Sequence, residues 1–300
     1  MARGISIHVG LNEVDPSAFP GATPLRGCRN DAIAMCDLAK SQGFEAQLIL
    51  DKEATFKKVV SAVGKAAEDL KDQGDIFLFT FAGHGSQEGD ADADEPAPDF
   101  KDETILLHDF MLIDDYLNRV LLPMFKPGVR VLGVSDSCHS GSLFVAPSEA
   151  IVGVQPDERL LVRDVGLELT KCKQVVGIGR ILGGRRTILR ATRRDHFVGS
   201  KSFYEDLRKD IPSRENAPPV KASVILLAAC SDVQDALDGE PHGAFTQALL
   251  DVWGGSSFSG NYNDFVRSIG KKLKGVPQTP GLTAIGSPFA AFIAQRPFFI

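Results

Sequence analysis

Between Asp75 and Gly83 the chain runs Ile-Phe-Leu-Phe-Thr-Phe-Ala, an apolar stretch with the length and composition of a strand buried on both faces. Such a strand needs helices above and below it, so it predicts a parallel sheet whose strands are joined by helical crossovers. Arg130–Ser135 reads as a second buried strand, and the rest of the chain alternates to match. Gly4–Leu11 and Ala46–Leu50 are predicted strands. Leu25–Gln42 carries Ala32, Met35, Cys36 and Ala39 at helical spacing with Gly43 as its stop, and Ala54–Lys71 lines up Val59, Val60, Val63, Ala66, Ala67 and Leu70 on one face. Further on, the pattern predicts an extended Thr104–Leu107, a helix over Asp114–Met124, a strand over Ala222–Ala229, helices over Gly243–Trp253 and Asn261–Lys274, and a strand-like Ala290–Ile300. Residues 145–220 are rich in Pro, Gly and Arg, and 177–186 read as an exposed loop or linker. The fold class is α/β, and in such sheets ligands bind beyond the carboxyl ends of the strands.

Both buried runs end in polar clusters. The first passes into Phe-Ala-Gly-His-Gly and the second into Asp-Ser-Cys-His-Ser-Gly, which places His84 and Cys138 at two strand ends. A thiol is a poor nucleophile until it loses its proton, and an imidazole within reach takes that proton and returns it to a leaving amine. Two parallel strands in register present their ends to one crevice, so His84 and Cys138 suit these two roles. Gly83, Gly85 and Gly141 permit tight turns and a close approach to a substrate carbonyl, making the Gly85 and Cys138 N–H groups candidate oxyanion donors. Taken singly, Cys138 also suits a small core position and His84 a turn.

Composition narrows the partners. The chain is 43% hydrophobic and 24% charged, an ordinary globular mix. No apolar run approaches the roughly 20 residues of a membrane helix, and the first residues lack a signal-peptide pattern, so the expectation is a cytoplasmic protein without a membrane partner. Cys28, Cys36, Cys138, Cys172 and Cys230 are odd in number and contain no Cys-x-x-Cys pair, which suggests neither a disulfide framework nor a zinc cage. A net charge of −6 argues against nucleic acid. The charge is uneven: residues 156–215 hold 14 of 33 Lys+Arg but 9 of 39 Asp+Glu, leaving an acidic remainder that attracts basic substrates.

Phe-Ala-Gly-His-Gly-Ser-Gln (81–87) and Asp-Ser-Cys-His-Ser-Gly (136–141) resemble the His and Cys motifs of metacaspases, the caspase relatives of plants, fungi, protists and bacteria, and most of all the bacterial or type I kind. The resemblance extends in order through Leu-Arg-Gly-Cys-Arg-Asn-Asp-Ala (25–32), Asp-Glu-Thr-Ile-Leu (102–106), Ala-Ala-Cys-Ser-Asp (228–232), Gly-Ala-Phe-Thr (243–246) and Gln-Thr-Pro (278–280). It implies a caspase-like three-layer sandwich, a mostly parallel central sheet with helices on both faces. One domain would span 1–300, with a large-subunit-like region at 1–145, a variable linker at 146–220 and a small-subunit-like region at 221–300. It also implies a monomeric cysteine endopeptidase acting on polypeptides after Arg or Lys, with Asp31 and Asp136 receiving the basic side chain and Cys28 lining the same pocket. Asp136 lies two residues before Cys138 on a strand that alternates faces, and so points toward the same crevice. Asn30-Asp31 also suits a helix cap. Ala82 departs from the Ser common in the family, and a caspase-type Gln-Ala-Cys-Arg-Gly with its basic pocket is absent, which argues against cleavage after Asp.

Two further expectations rest on the family. Asp102, Asp114 and Asp115 match positions that bind calcium as an activator, although the fourth is Val145 here, and adjacent aspartates equally suit a helix start. Arg180–Arg194 holds six arginines and no acid, which fits a solvated face or a self-cleavage segment somewhere in 159–194. The rival class is a non-catalytic caspase-like scaffold or regulatory domain, which keeping both dyad residues and both pocket carboxylates disfavours. A flavodoxin-like nucleotide-binding domain would want a Gly-rich first turn where Gly10-Leu11-Asn12-Glu13 stands.

Overall fold

Runs that leave no polar face become the middle of the sheet. In the computed structural model, which describes residues 1–89, 101–138, 180–186, 201–231, 234–286 and 289–300, β1 (Gly4–Gly10) is followed by α1 (Cys28–Ser41), β2 (Glu45–Leu50), α2 (Phe56–Asp69) and β3 (Ile76–Ala82). A small antiparallel sheet of β4 (Gly85–Gly89), β5 (Lys101–Leu106) and β6 (Met111–Ile113) precedes β7 (Arg130–Asp136). Next come β8 (Arg180–Arg185), α3 (Lys201–Asp210), β9 (Ser223–Ala228), β10 (Leu237–Glu240), α4 (Ala244–Trp253), α5 (Tyr262–Lys272), β11 (Gly281–Ile285) and α6 (Phe289–Ile293).

The main sheet has the order β11-β9-β7-β3-β1-β2, all parallel except that β11 runs antiparallel to β9. The two strands that run into the polar clusters, β3 and β7, are therefore central neighbours. Their side chains alternate between two cores. Phe77, Phe79, Phe81 and Val131 pack with α2 and with Tyr204 and Leu207 of α3. Ile76, Leu78, Leu132 and Val134 pack with Met35 and Leu38 of α1, Phe245 and Leu249 of α4, and Phe265 and Ile269 of α5. At about 1.5–3 kcal/mol for each large apolar side chain withdrawn from water, these two faces hold the sheet between its helical layers. A polar cluster sits inside: His8 bonds Thr80 Oγ1 and Ser6 Oγ, each at 2.9 Å, and burial pushes its pKa down to about 3, so it remains neutral as a clasp between β1 and β3.

Three readings of the sequence are corrected. Residues 180–185 form a strand, β8, paired antiparallel with β10, and Arg186 behind it is fully buried; 177–179 lie outside the described residues. The Asp114–Met124 segment is helical but changes winding, α over Asp114–Tyr116, π over Leu117–Leu121 and 3-10 over Leu122–Met124, where Pro123 lacks the N–H that an α-helix requires. Ala290–Ile300 is no strand: it begins as α6, and Phe292 and Phe298 pack edge-on against Tyr262 and against Trp253 and Phe265. The final strand is instead β11. Among the described residues no helix is long and apolar enough to cross a membrane.

Candidate active site

The register of β3 and β7 pairs Ala82 with Asp136, so His84 and Cys138 each stand two residues beyond a matched pair, at adjoining strand ends. Contact there is close enough to dictate residue type. A Cβ on Gly85 would lie 2.0 Å from the Cys138 carbonyl oxygen, so only glycine fits. His84 is buried, and its Nε2 is 2.8 Å from the Thr23 carbonyl oxygen, which only accepts; that nitrogen therefore carries the proton. Its Nδ1 is also buried and, among the described residues, has no hydrogen-bond partner, which leaves a lone pair for a thiol proton. Burial lowers the His84 pKa, and the same cause raises the Cys138 thiol well above its ordinary value, followed by Cys230 and Asp235. The pair at rest is thus neutral imidazole and thiol. The thiol accepts the Ala236 N–H at 3.0 Å, so it is oriented without being ionised.

The chain's own Arg186 lies in this crevice. Its carbonyl oxygen accepts the Gly85 N–H at 2.9 Å, and its N–H donates to the Ala236 carbonyl at 3.0 Å, continuing the β8–β10 pairing. Among the described residues, Cys138 N–H makes no bond to the Arg186 carbonyl. The guanidinium enters a fully buried acidic pocket. Nη1 donates to the Asp136 carbonyl oxygen at 2.8 Å and pairs with Asp136 Oδ1 at 3.1 Å, an ion contact without hydrogen-bond alignment. Nη2 donates to Asp31 Oδ2 at 2.6 Å and to Asp238 Oδ1 at 3.2 Å. Desolvation pushes Asp136 up to about 6 against the opposing pull of Arg186, whereas the carboxylates hold the guanidinium charged despite its burial.

Each carboxylate is braced. Asp136 Oδ2 accepts the Thr246 N–H at 3.1 Å and hydroxyl at 2.7 Å. Asp31 Oδ1 accepts from Gly243 N–H at 3.2 Å and lies 2.9 Å from His242 Nδ1. Asp238 receives the Arg26 and Gly27 N–H groups at 2.8 and 3.1 Å. Cys28, Leu25 and Ala82 form the apolar wall, and burial raises the Cys28 thiol well above its usual pKa. The opposite wall is Gly243, where a Cβ would sit 2.3 Å from Arg186 Nη2. Gly243 has φ −61°, which any residue adopts, so Gly243→Ala should fold while obstructing the pocket. We expect roughly a tenfold or greater loss of kcat/KM on Arg peptides together with a lowered melting temperature, because the same Cβ pushes the Arg186 guanidinium off its carboxylates, checked by peptide hydrolysis and thermal denaturation.

His84, Cys138, Gly85, Asp31, Asp136 and Cys28, expected at one site from the sequence, are brought together here. The sequence marks Arg186 only as part of the candidate self-cleavage segment 159–194 and assigns no role to Asp238, Thr246, Gly243 or Thr23. Gly-Ala-Phe-Thr was the available signal for Gly243 and Thr246, while nothing near Asp238 or Thr23 marks either. Asp114 Oδ2 accepts the Glu103 N–H at 3.2 Å and Oδ1 the Asp115 N–H at 2.7 Å, and Asp115 pairs with Arg119 Nη2 at 2.7 Å. The Asp102 side chain and Val145 lie outside the described residues. Among the described residues, no three His, Cys, Asp or Glu side chains group as a metal site would.

Residues 14–288 match the family model of the caspase domain, Peptidase_C14. Metacaspase-1 of Plasmodium falciparum is 37% identical over 39% of this chain and 21% of its own length. Metacaspase-1 of Schizosaccharomyces pombe is 26% identical over 81% of the chain and 57% of its own, and Metacaspase-1B of Neosartorya fischeri is 26% identical over 98% and 71%. The chain thus spans about a fifth and just over half of the first two relatives. Among solved structures, protein GSU0716 from Geobacter sulfurreducens is 34% identical and covers 99% of both chains with a TM-score of 0.77. Caspase-1 of Spodoptera frugiperda shares the fold at 13% identity, covering 95% of this chain and 88% of its own with a TM-score of 0.50.

Proposed function

Because the chain belongs to the caspase-domain family of cysteine-type peptidases, and is metacaspase-like within it, we propose that it is an endopeptidase cutting after Arg or Lys through His84 and Cys138, and that it cuts its own chain after Arg186. One observation carries the proposal: Arg186 rests with its guanidinium among Asp31, Asp136 and Asp238 and its carbonyl oxygen on the Gly85 N–H. That is the arrangement a substrate residue on the acyl side of a scissile bond needs.

In this reading His84 Nδ1 takes the Cys138 proton as the sulfur attacks the Arg186 carbonyl carbon, and Gly85 N–H stabilises the oxyanion. The imidazolium then protonates the nitrogen of residue 187, the C–N bond breaks, and a thioester remains. Water, deprotonated by His84, displaces the sulfur and leaves Arg186 with a carboxylate. External peptides would follow the same course once the docked segment has left. Lysine would meet the same carboxylates as a point charge. Calcium enters as an activator: Asp102, Asp114 and Asp115 would hold it through hard oxygen ligands, and Asp115 would first release Arg119. Action in the cytoplasm as a monomer is carried forward from the sequence.

The test is hydrolysis of fluorogenic peptides ending in Arg, Lys or Asp by the purified full chain, with calcium or chelator, alongside mass analysis of the chain itself. Cleavage of Arg and Lys peptides and a fragment ending at Arg186 are expected. Preference for Asp would refute the pocket, and a chain that stays intact while cutting Arg peptides would refute the self-cleavage.

A further inference from the structure

Three carboxylates surround the docked guanidinium, and they serve its two ends differently. Nη1 is taken by Asp136 alone, through its carbonyl and Oδ1. Nη2 is shared by Asp31 at 2.6 Å and Asp238 at 3.2 Å, the latter from β10 on the far side of the cleft. Asp238 is itself buried, and its geometry is fixed. Oδ2 receives the Arg26 N–H, and Oδ1 receives the Gly27 N–H while still facing the guanidinium. Its position therefore does not depend on an occupant.

Resting on the function proposed above, we infer that Asp238 is a specificity-determining residue that makes this pocket prefer Arg over Lys. A guanidinium is a planar fork that offers one amino group to Asp136 and, at the same time, another to the Asp31–Asp238 pair. A lysine ammonium is a single nitrogen on a shorter stem, so it cannot occupy both ends of that arrangement. Asp31 and Asp136 supply the charge that either side chain needs. Asp238 adds a bond to the second amino group, which only arginine carries. No hydroxyl faces the fork from Ala82, so the third carboxylate takes up recognition that this wall does not provide.

The experiment compares wild-type and Asp238→Asn full-length protein on peptides ending in Arg and in Lys, with folding followed by circular dichroism. Asparagine keeps an acceptor for one of the Arg26 and Gly27 N–H groups and removes the charge. A charge-assisted bond to the second amino group predicts roughly a 10- to 100-fold fall in kcat/KM for Arg peptides and a much smaller fall for Lys, so the Arg/Lys ratio drops about tenfold. If Asp238 only anchors the Arg26–Gly27 turn, both substrates lose activity equally and the inference is overturned. Should Asp238→Asn not fold, Asp238→Ser, which retains a hydroxyl acceptor without charge, is read by the same ratio. Wild-type protein that cuts neither peptide would refute the proposed function itself, an outcome separate from an unchanged ratio in an active variant.

Discussion

Cys138→Ala protein is expected to hydrolyse no Arg or Lys peptide above background and to keep its own chain whole. The sulfur has no understudy: among the described residues the other free thiols are Cys28, Cys36 and Cys230, and none of them follows Asp136 across from His84. Removing the nucleophile of a covalent mechanism costs on the order of 10⁶ in turnover, which is below detection in an ordinary assay. Stability should fall by only about 1–3 kcal/mol, because the substitution removes the sulfur's bonds to the Ala236 N–H and carbonyl oxygen. Equal peptidase rates in the two proteins would remove Cys138 from the mechanism.

The second large effect concerns the docked arginine. In the Cys138→Ala background, where both proteins remain uncut, Arg186→Gln should lower stability at pH 8 by about 3–5 kcal/mol, the usual consequence of removing one partner from a buried ion pair. It strips the counter-charge from Asp31, Asp136 and Asp238 together. The loss should shrink toward pH 5. Asp136 already stands at about 6 with Arg186 pulling it down, so without Arg186 it rises further above its unfolded value. A carboxyl raised in the folded state binds protons more tightly there than in the unfolded chain. Its stabilising contribution is therefore present at low pH and disappears as pH climbs through the folded pKa. Denaturant titrations of both proteins at pH 5 and pH 8 measure the difference, and a variant losing more stability at pH 5 would contradict this account. In the background with Cys138 intact, the same substitution should abolish the cut after residue 186.

The elements legible in the sequence are those whose cause is local. β3 and β7 were legible because an apolar run with no polar face has few alternatives, and His84 and Cys138 because they follow those runs in matched register. The segment 180–186 was not legible. Gly-rich, Arg-rich chain has the composition of a solvated loop, and it becomes a strand only because β10 offers an edge and three aspartates offer a pocket, none of them neighbours in sequence. Asp238 escaped notice for the same reason, as its importance comes from facing Asp31 and Asp136 across the cleft. The end of the chain misled differently. Ala290–Ile300 is as apolar as a strand, but Phe292 and Phe298 spend that character on the aromatic cluster beneath α5.

An arginine held by its own polypeptide is met at the millimolar local concentration typical of a short tether, whatever the dilution of the protein. A dilute outside peptide competes poorly with such a tenant. On the self-cleavage proposed above, the pairing of β8 with β10 would set an order of events: a first cut whose half-life is the same at nanomolar and micromolar protein, and only afterwards an enzyme whose rate answers to the supply of other chains.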